Sequence, residues 1–320
     1  MPETQKSDHD VHFLFSFGLH ASREDFLKAK AVADRFKPHL YAGEEPYLLR
    51  STRAEASIRI NRYIEMARRD PYARQTLLNA RTDFGREQMA YIVDVVPGPL
   101  IYYPLEAHDT TDAIREKERA DEMGRRAIRL AHEGDMRGAI KAELAAKEIM
   151  EASNRSRDSD IVQNLGTYAE EARSLFPQLR RFDQLRVFIR LGHGHTRAFI
   201  DATHAYAGDG KITIGRVMDD HPIHRFNPSE YIMRAYAFGK PVDDLWAVGS
   251  ILGSVLFTAN IHSHGGRIDH AELIEDLEAL RSGGPSRAIR ALTGADRDLE
   301  LREWLADAAK RFKTPDAEAA

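Results

Sequence analysis

The sequence contains no cysteine. Disulfide bonds, thiolate metal sites and a cysteine nucleophile are therefore excluded, and a reducing compartment suits such a chain. The sequence also lacks a GxSxG elbow, a GxxxxGK phosphate loop, a dinucleotide glycine fingerprint and an HExxH helix. The serine-hydrolase, nucleotide-triphosphatase and dehydrogenase classes thereby lose their main support.

The sequence has no hydrophobic run of the length that a membrane span needs. Its longest uncharged stretch, Leu245 to Ile261, is interrupted by polar residues, and a span takes about 20 apolar residues. We interpret this stretch as a buried helix in which Gly249 and Gly253 permit close packing. The first ten residues are polar and lack the apolar core of a secretory signal. We therefore expect a cytoplasmic protein without a membrane partner.

An excess of positive charge is also missing. The formal net charge is −4, so we expect no nucleic-acid partner. Hydrophobic residues make up 42% of the chain and charged residues 30%, which is typical of a globular protein. A length of 320 residues allows one large domain or two ordinary ones.

The sequence begins with a β-α-β pattern. The apolar run from Val11 to Phe17 predicts a buried strand, a helix follows from Ser22 to about Phe36, and His39 to Gly43 predicts a second strand. Strands joined in this way are parallel. Three more runs predict strands, namely Leu100 to Leu105, Leu185 to Leu191 and Lys211 to Met218. We expect an α/β fold with a mostly parallel sheet flanked by helices.

Two regions of the chain predict helices only. A charged insertion covers about 110–180, and we expect breaks near Gly134 and around Ser153 to Ser156. We therefore predict an α/β core over 1–220 that carries this insertion, and a helical region over 221–320 packed on the core. The insertion is either a lid over the site or an arm for self-association, in which case the protein forms a homodimer.

Histidines and carboxylates follow the predicted strands at the points where the strands end. Because the carboxyl ends of parallel strands lie at one edge of a sheet, we expect these side chains to form one polar site. They are His20 after the first strand, Glu44 and Glu45 after the second, Glu106 and His108 after the third, and His193 and His195 after the fourth.

The pair His193 and His195 is the most informative of these. Alternate residues of an extended chain point to the same side, so both imidazoles could face one ligand. The alternative is a polar turn whose histidines cap the next helix. Of the adjacent Glu44 and Glu45, we favour Glu44 as the inward side chain, because Pro46 turns the chain after Glu45.

Four segments resemble a known superfamily. The first segment is 17–20, together with the helix that begins at Ser22. The other three are 42–45, 157–165, which contains Arg157 and Asp158, and 191–195. Their order is similar to that in the superfamily that joins erythromycin esterase, the ChaN haem-binding proteins and the Tiki/TraB proteins. The resemblance implies a metal-assisted or general-base hydrolase, with Arg157 as the stabiliser of developing negative charge.

On this hypothesis the chain cleaves an ester or peptide bond in a small molecule or a peptide. The candidate catalytic residues are His20, Glu44, Glu45, Arg157, His193 and His195, and the candidate substrate-binding residues are Glu106, His108 and Asp158. A divalent metal, if used, would be bound by His20, Glu44, His193 and His195. Two alternatives stay open, a non-catalytic protein that binds metal or haem and an interaction scaffold.

Overall fold

The chain is described by a computed structural model, which covers residues 10–18, 23–43, 52–79, 92–93, 100–105, 111–218, 228–242, 244–264, 271–273 and 275. It divides into two compact units. The first comprises residues 1–114 and 154–219, and the second comprises residues 115–153 and 220–320. Residues 115–153 of the predicted insertion thus group with the C-terminal region, and its later residues group with the sheet.

The regular elements are strands and α-helices that alternate in the first unit. The strands are β1 (Asp10–Gly18), β2 (Leu40–Gly43), β3 (Ile101–Tyr102), β4 (Gln184–Gly192) and β5 (Ile212–Met218). The helices are α1 (Arg23–Phe36), α2 (Arg53–Arg69), α3 (Pro71–Asn79), α4 (Thr111–Glu133), α5 (Met136–Leu175), α6 (Thr196–Ala205), α7 (Pro228–Ala237) and α8 (Asp244–Ser263).

The five strands form one sheet in the order β3-β2-β4-β1-β5, and every pair of neighbours is parallel. This confirms the predicted α/β fold with a parallel sheet flanked by helices. All strands end at one edge, which we name the carboxyl edge, and begin at the opposite amino edge.

Strands β1 and β4 are buried on both faces of the sheet, which explains their nearly continuous apolar runs. On one face, which we name the α5 face, Phe13, Phe15 and Val187 pack with residues of α5 and α6. On the other, the α1 face, Tyr41 and Phe188 pack with residues of α1 and α2. The first unit is therefore a three-layer α/β/α arrangement.

The edge strand β3 is shorter than the predicted Leu100 to Leu105, and a helix side chain bonds to its outer edge. Asn61 of α2 accepts a hydrogen bond from the Tyr102 N–H (3.0 Å) and donates one to the Tyr102 carbonyl (2.7 Å). The amide of Asn61 thereby satisfies the N–H and the carbonyl of Tyr102 that point away from β2.

Breaks between helices follow local backbone chemistry. Thr52 and Glu55 form a capping box at the start of α2. Gly134 adopts a positive φ of 89° at the end of α4, as expected for a helix terminus. The predicted break around Ser153 to Ser156 is wrong, since α5 continues through these residues. Serine lowers helix propensity by only a few tenths of a kcal/mol, and packing of the helix outweighs that.

The second unit contains α7, α8 and the first part of α5. Tyr231 of α7 stacks on Trp246 of α8 with ring centroids 3.8 Å apart. Ser250 of α8 donates a 2.6 Å hydrogen bond to Glu143 of α5, and Lys147 lies 3.2 Å from the same carboxylate. Among the described residues, no helix is both long and apolar enough to cross a membrane.

Candidate functional site

The sheet changes winding direction between β1 and β4. Helix α1, which follows β1, packs on the α1 face, whereas α6, which follows β4, packs on the α5 face. The two strands end level with each other, because Gly18 and Gly192 are register partners. Ligands of open α/β sheets bind in the crevice outside the carboxyl ends at such a switch point. The ends of β1 and β4 are therefore the place where this fold favours a ligand.

The chain does not stay extended after β4. His193 to His195 form a 3-10 turn that leads directly into α6. Strand alternation therefore does not apply to the two imidazoles, because the period of two holds only for extended backbone. The side chain of His193 lies outside the described part of the structure, whereas that of His195 lies within it.

His195 is buried against a carboxylate. Its Nδ1 lies 2.5 Å from Oδ1 of Asp158, and the two side chains are 3% and 2% exposed. A carboxyl group that faces Nδ1 favours the tautomer with the proton on Nδ1, and the lone pair of the neutral ring is then on Nε2. His195 is also the N-cap residue of α6, but its side chain makes no capping hydrogen bond. The capping alternative therefore does not describe His195.

Helix α5 positions Asp158 on its sheet-facing stripe. Ile161 and Leu165, three and seven residues further on, are buried in the core of the α5 face, and this spacing places all three on one side of the helix. Asn154, one turn before Asp158, lies so close to the turn that a Cβ on Gly194 would meet its Nδ2 at 2.7 Å. Two side chains of α5 thus contact the turn after β4.

A second buried polar pair lies just before the ends of the same two strands. Arg190 of β4 and Ser16 of β1 are register partners, both are 2% exposed, and Arg190 Nη1 donates a 2.9 Å hydrogen bond to Ser16 Oγ. Sequence reasoning missed both residues. The available signal was an arginine inside an apolar strand, since a buried charge needs dedicated partners.

Arg157 lies on α5 next to Asp158 and is partly buried. The other predicted residues, His20, Glu44, Glu45, Glu106 and His108, lie outside the described residues. Strands β1 and β2, which precede His20 and the two glutamates 44 and 45, end at the carboxyl edge together with β4, because Gly18 pairs with Gly192 and Gly43 pairs with Arg190. Their convergence with His195 stays a prediction.

A third polar cluster joins α2, the segment after β3, and α5. Arg53 is buried, forms an ion pair with Glu171, and lies over the ring of Tyr103 at 5.1 Å. Burial raises the pKa of Tyr103 to about 12. Burial alone would raise the pKa of Glu171, but hydrogen bonding by Thr167 and the charge of Arg53 lower it. We interpret this cluster as a structural tie between the elements, because each group has a partner of matching chemistry.

The arrangement can supply a base or a metal ligand. Within the described residues no group of three His, Asp or Glu side chains is placed to hold a metal ion. The pair Asp158–His195 does match one part of such a site, since metal-ligating histidines commonly donate their other N–H to a carboxylate. Nε2 is then the atom that would ligate.

Fold and site together define a three-layer α/β protein with a buried His–Asp pair at the switch point of its sheet. No family model matches the chain, no curated protein matches it, and no solved structure matches it. The resemblance to the erythromycin esterase, ChaN and Tiki/TraB superfamily, and the predicted homodimer, stay predictions.

Proposed function

We propose that the chain is a hydrolase of ester or peptide bonds in which His195 is the general base and Asp158 orients it. The observation that carries this proposal is the 2.5 Å contact between Nδ1 of His195 and Asp158 beside the switch point. A carboxylate behind a histidine holds the ring in the tautomer whose Nε2 can accept a proton, and stabilises the imidazolium that forms.

The reaction would begin with transfer of a proton from water to Nε2 of His195 as the water oxygen attacks the carbonyl carbon. The tetrahedral intermediate would carry its negative charge on the former carbonyl oxygen. Arg157, adjacent to Asp158 on α5, is the candidate to stabilise that charge. Return of the proton from Nε2 to the leaving oxygen or nitrogen would complete cleavage and restore the neutral ring.

Arg190 gives independent support for a polar site at this place. A fully buried guanidinium on the central strand is costly unless its surroundings hold it. Its register partner Ser16 supplies one acceptor two residues before β1 ends. The site would thus have a cation near the α1 face and a base near the α5 face.

A metal-assisted form of the proposal uses the same pair. His195 would ligate through Nε2, with Asp158 as the carboxylate that fixes the ring. A bound divalent ion would supply an activated water near neutral pH.

The test is turnover of a panel of p-nitrophenyl esters and aminoacyl p-nitroanilides by the full chain, compared with His195→Gln and Asp158→Asn. We expect both variants to lose about a thousandfold or more in kcat, because Asn favours the wrong tautomer and Gln removes the base. His204→Gln and Asp201→Asn are matched controls, since both lie on α6 outside the pair. Circular dichroism checks that the variants fold.

Equal turnover in the two variants and the controls, with folding retained, contradicts the proposal. Elemental analysis of the purified chain, and turnover after dialysis against a chelator, decide between the two forms. Loss of metal together with loss of turnover supports the metal-assisted form, and unchanged turnover supports the general-base form.

A further inference from the structure

A row of three side chains crosses the sheet at the amino edge, far from His195. His12 of β1 is the register partner of Arg186 of β4. His39, directly before β2, donates its backbone N–H to the Arg186 carbonyl at 2.8 Å. The ring of His12 packs edge-on against Phe36 of α1, which places the row on the α1 face. Six residues separate Arg186 from Gly192, or about 20 Å of strand.

One hydrogen bond of the His39 ring, made by a backbone N–H that cannot turn away, favours one of its two tautomers. The backbone N–H of Arg186 donates to Nδ1 of His39 at 3.2 Å, so Nδ1 accepts and the neutral ring carries its proton on Nε2. Burial first, and then the charges of Arg186 and Arg181, lower the pKa of His39 to about 4. The ring is therefore neutral near pH 7, with Nε2–H as a donor.

In the tautomer that this backbone bond favours, two donors face each other. Nη2 of Arg186 lies 3.3 Å from Nε2 of His39, and a guanidinium can only donate. Within the described residues, the buried Nε of Arg186 has no hydrogen-bond acceptor either. The arrangement is complementary to an oxygen atom that accepts from both side chains.

The surroundings add positive charge around two partly exposed side chains. The Phe182 ring stacks on the His39 ring with centroids 3.8 Å apart, and the Arg181 guanidinium lies over Phe182 at 4.9 Å. His39 and Arg186 are half-buried. Charge-assisted hydrogen bonds in such partly dehydrated places are stronger than on an open surface.

We propose that His39, Arg186 and Arg181 form a binding site for an oxyanion, the phosphate or carboxylate group of a ligand. One oxygen of the anion accepts from Nη2 of Arg186 and from Nε2–H of His39, and Arg181 supplies the second positive charge. The site lies at the amino edge, whereas the hydrolase proposal concerns the carboxyl edge. Each of the two proposals can therefore be rejected without affecting the other.

The test is an NMR titration of the full chain, labelled with nitrogen-15 in histidine and arginine side chains, at pH 7. Potassium phosphate and potassium acetate are added in separate series, with ionic strength held constant by potassium chloride. We expect a saturable shift of the His39 Nε2 resonance and the Arg186 Nε resonance. Saturation by phosphate alone identifies a phosphate site, saturation by acetate alone a carboxylate site, and saturation by both a general oxyanion site.

Arg186→Gln is expected to weaken binding at least tenfold, because it removes the charged donor. Arg125→Gln makes the same change of charge at an exposed position of α4 and should leave the affinity unchanged. His39→Asn keeps an acceptor for the Arg186 backbone N–H and removes the Nε2–H donor, so we expect at least threefold weaker binding. The His39→Asn variant provides the test if the Arg186→Gln variant does not fold.

The proposal is overturned if neither anion gives a saturable shift in the unaltered chain. It is also overturned if the folded Arg186→Gln and His39→Asn variants bind with the affinity of Arg125→Gln. Turnover of the ester and anilide panel by these variants separates the two sites, since none of them alters a residue at the carboxyl edge.

Discussion

Two histidines lie beside opposite ends of the central strand β4, and the group that faces Nδ1 favours a different tautomer in each. At the carboxyl edge, Asp158 accepts from Nδ1 of His195 and leaves a lone pair on Nε2. At the amino edge, the backbone N–H of Arg186 donates to Nδ1 of His39 and leaves a proton on Nε2. On the two proposals, the same type of side chain is a base or metal ligand at one edge and an anion donor at the other. The partner of Nδ1, rather than the histidine itself, decides which.

The largest effect is expected when the carboxylate of the buried pair is removed. Asp158→Ala leaves the His195 ring buried without its partner, and we expect the free energy of unfolding to fall by about 3–5 kcal/mol. Urea unfolding measures it. Asp201→Ala, which removes a partly exposed carboxylate paired with Arg197, should cost less than about 1 kcal/mol. Equal losses in the two variants would show that the Asp158–His195 pair contributes no more than a surface ion pair.

A second comparison concerns the two arginines of β4, of which Arg190 is buried and Arg186 is half-buried. Ser16→Ala removes an acceptor of the buried Arg190, and we expect the free energy of unfolding to fall by about 1–2 kcal/mol. Thr203→Ala removes an exposed hydroxyl of α6 that donates to its own helix, and should change stability by less than about 0.5 kcal/mol. A Ser16→Ala change as small as that of the control would contradict a dependence of Arg190 on this bond.

Acidification should affect the amino edge through His39. Its pKa is about 4 in the folded chain, lowered from 6.5 by burial and by Arg186 and Arg181, so between these values the unfolded state binds more protons. The His39 contribution to stability is therefore present above pH 6.5 and falls as the pH drops towards 4. Because the ring is half-exposed, we expect a loss on the order of 1 kcal/mol.

The measurement is the free energy of unfolding at pH 7 and at about pH 4.5, between the folded and unfolded pKa values of His39, for the unaltered chain and for His39→Asn. The unaltered chain should lose more on acidification than the variant does. His204→Asn, which replaces an exposed histidine of α6, should behave as the unaltered chain. Identical losses in all three chains would mean that His39 is not the group responsible.

The smallest effect is expected from Arg181, which is the last of the three causes that lower the pKa of His39. Arg181→Gln should raise that pKa slightly, and by less than Arg186→Gln does, because Arg181 is exposed and screened by solvent. An NMR titration of the His39 ring measures both changes. A larger rise of the His39 pKa in Arg181→Gln than in Arg186→Gln would show that Arg181 lowers this pKa more than Arg186 does, contrary to the expectation.

The sheet could be predicted from the sequence because its signals are local. Apolar runs bounded by glycine and proline indicate β1, β2 and β4, and a helix between two of them implies parallel pairing. The edge strand β3 was predicted too long, because its extent depends on pairing with β2 at Ile101 and Tyr102, and no pattern within the strand indicates where that pairing ends. The continuity of α5 through Ser153 to Ser156 depends likewise on packing.

The pairs at both edges could not be predicted, because each joins distant parts of the chain. Asp158 and His195 are 37 residues apart, and His39 and Arg186 are 147 apart. The sequence indicated His195 as a candidate through its position after a strand and Asp158 through its helix, but nothing linked the two. Arg186 has no local signal beyond its basic neighbours, and its role depends on the alignment of β2 with β4.

The amide of Asn61 has a consequence for how the molecule behaves at high concentration. A bare outer strand is a template onto which an extended segment of another copy can add, and this is how many β-rich assemblies grow. At Tyr102 the outward N–H and carbonyl are already hydrogen-bonded to the side chain of Asn61. Asn61 therefore occupies the outward N–H and carbonyl of Tyr102, which an added strand of another copy would need.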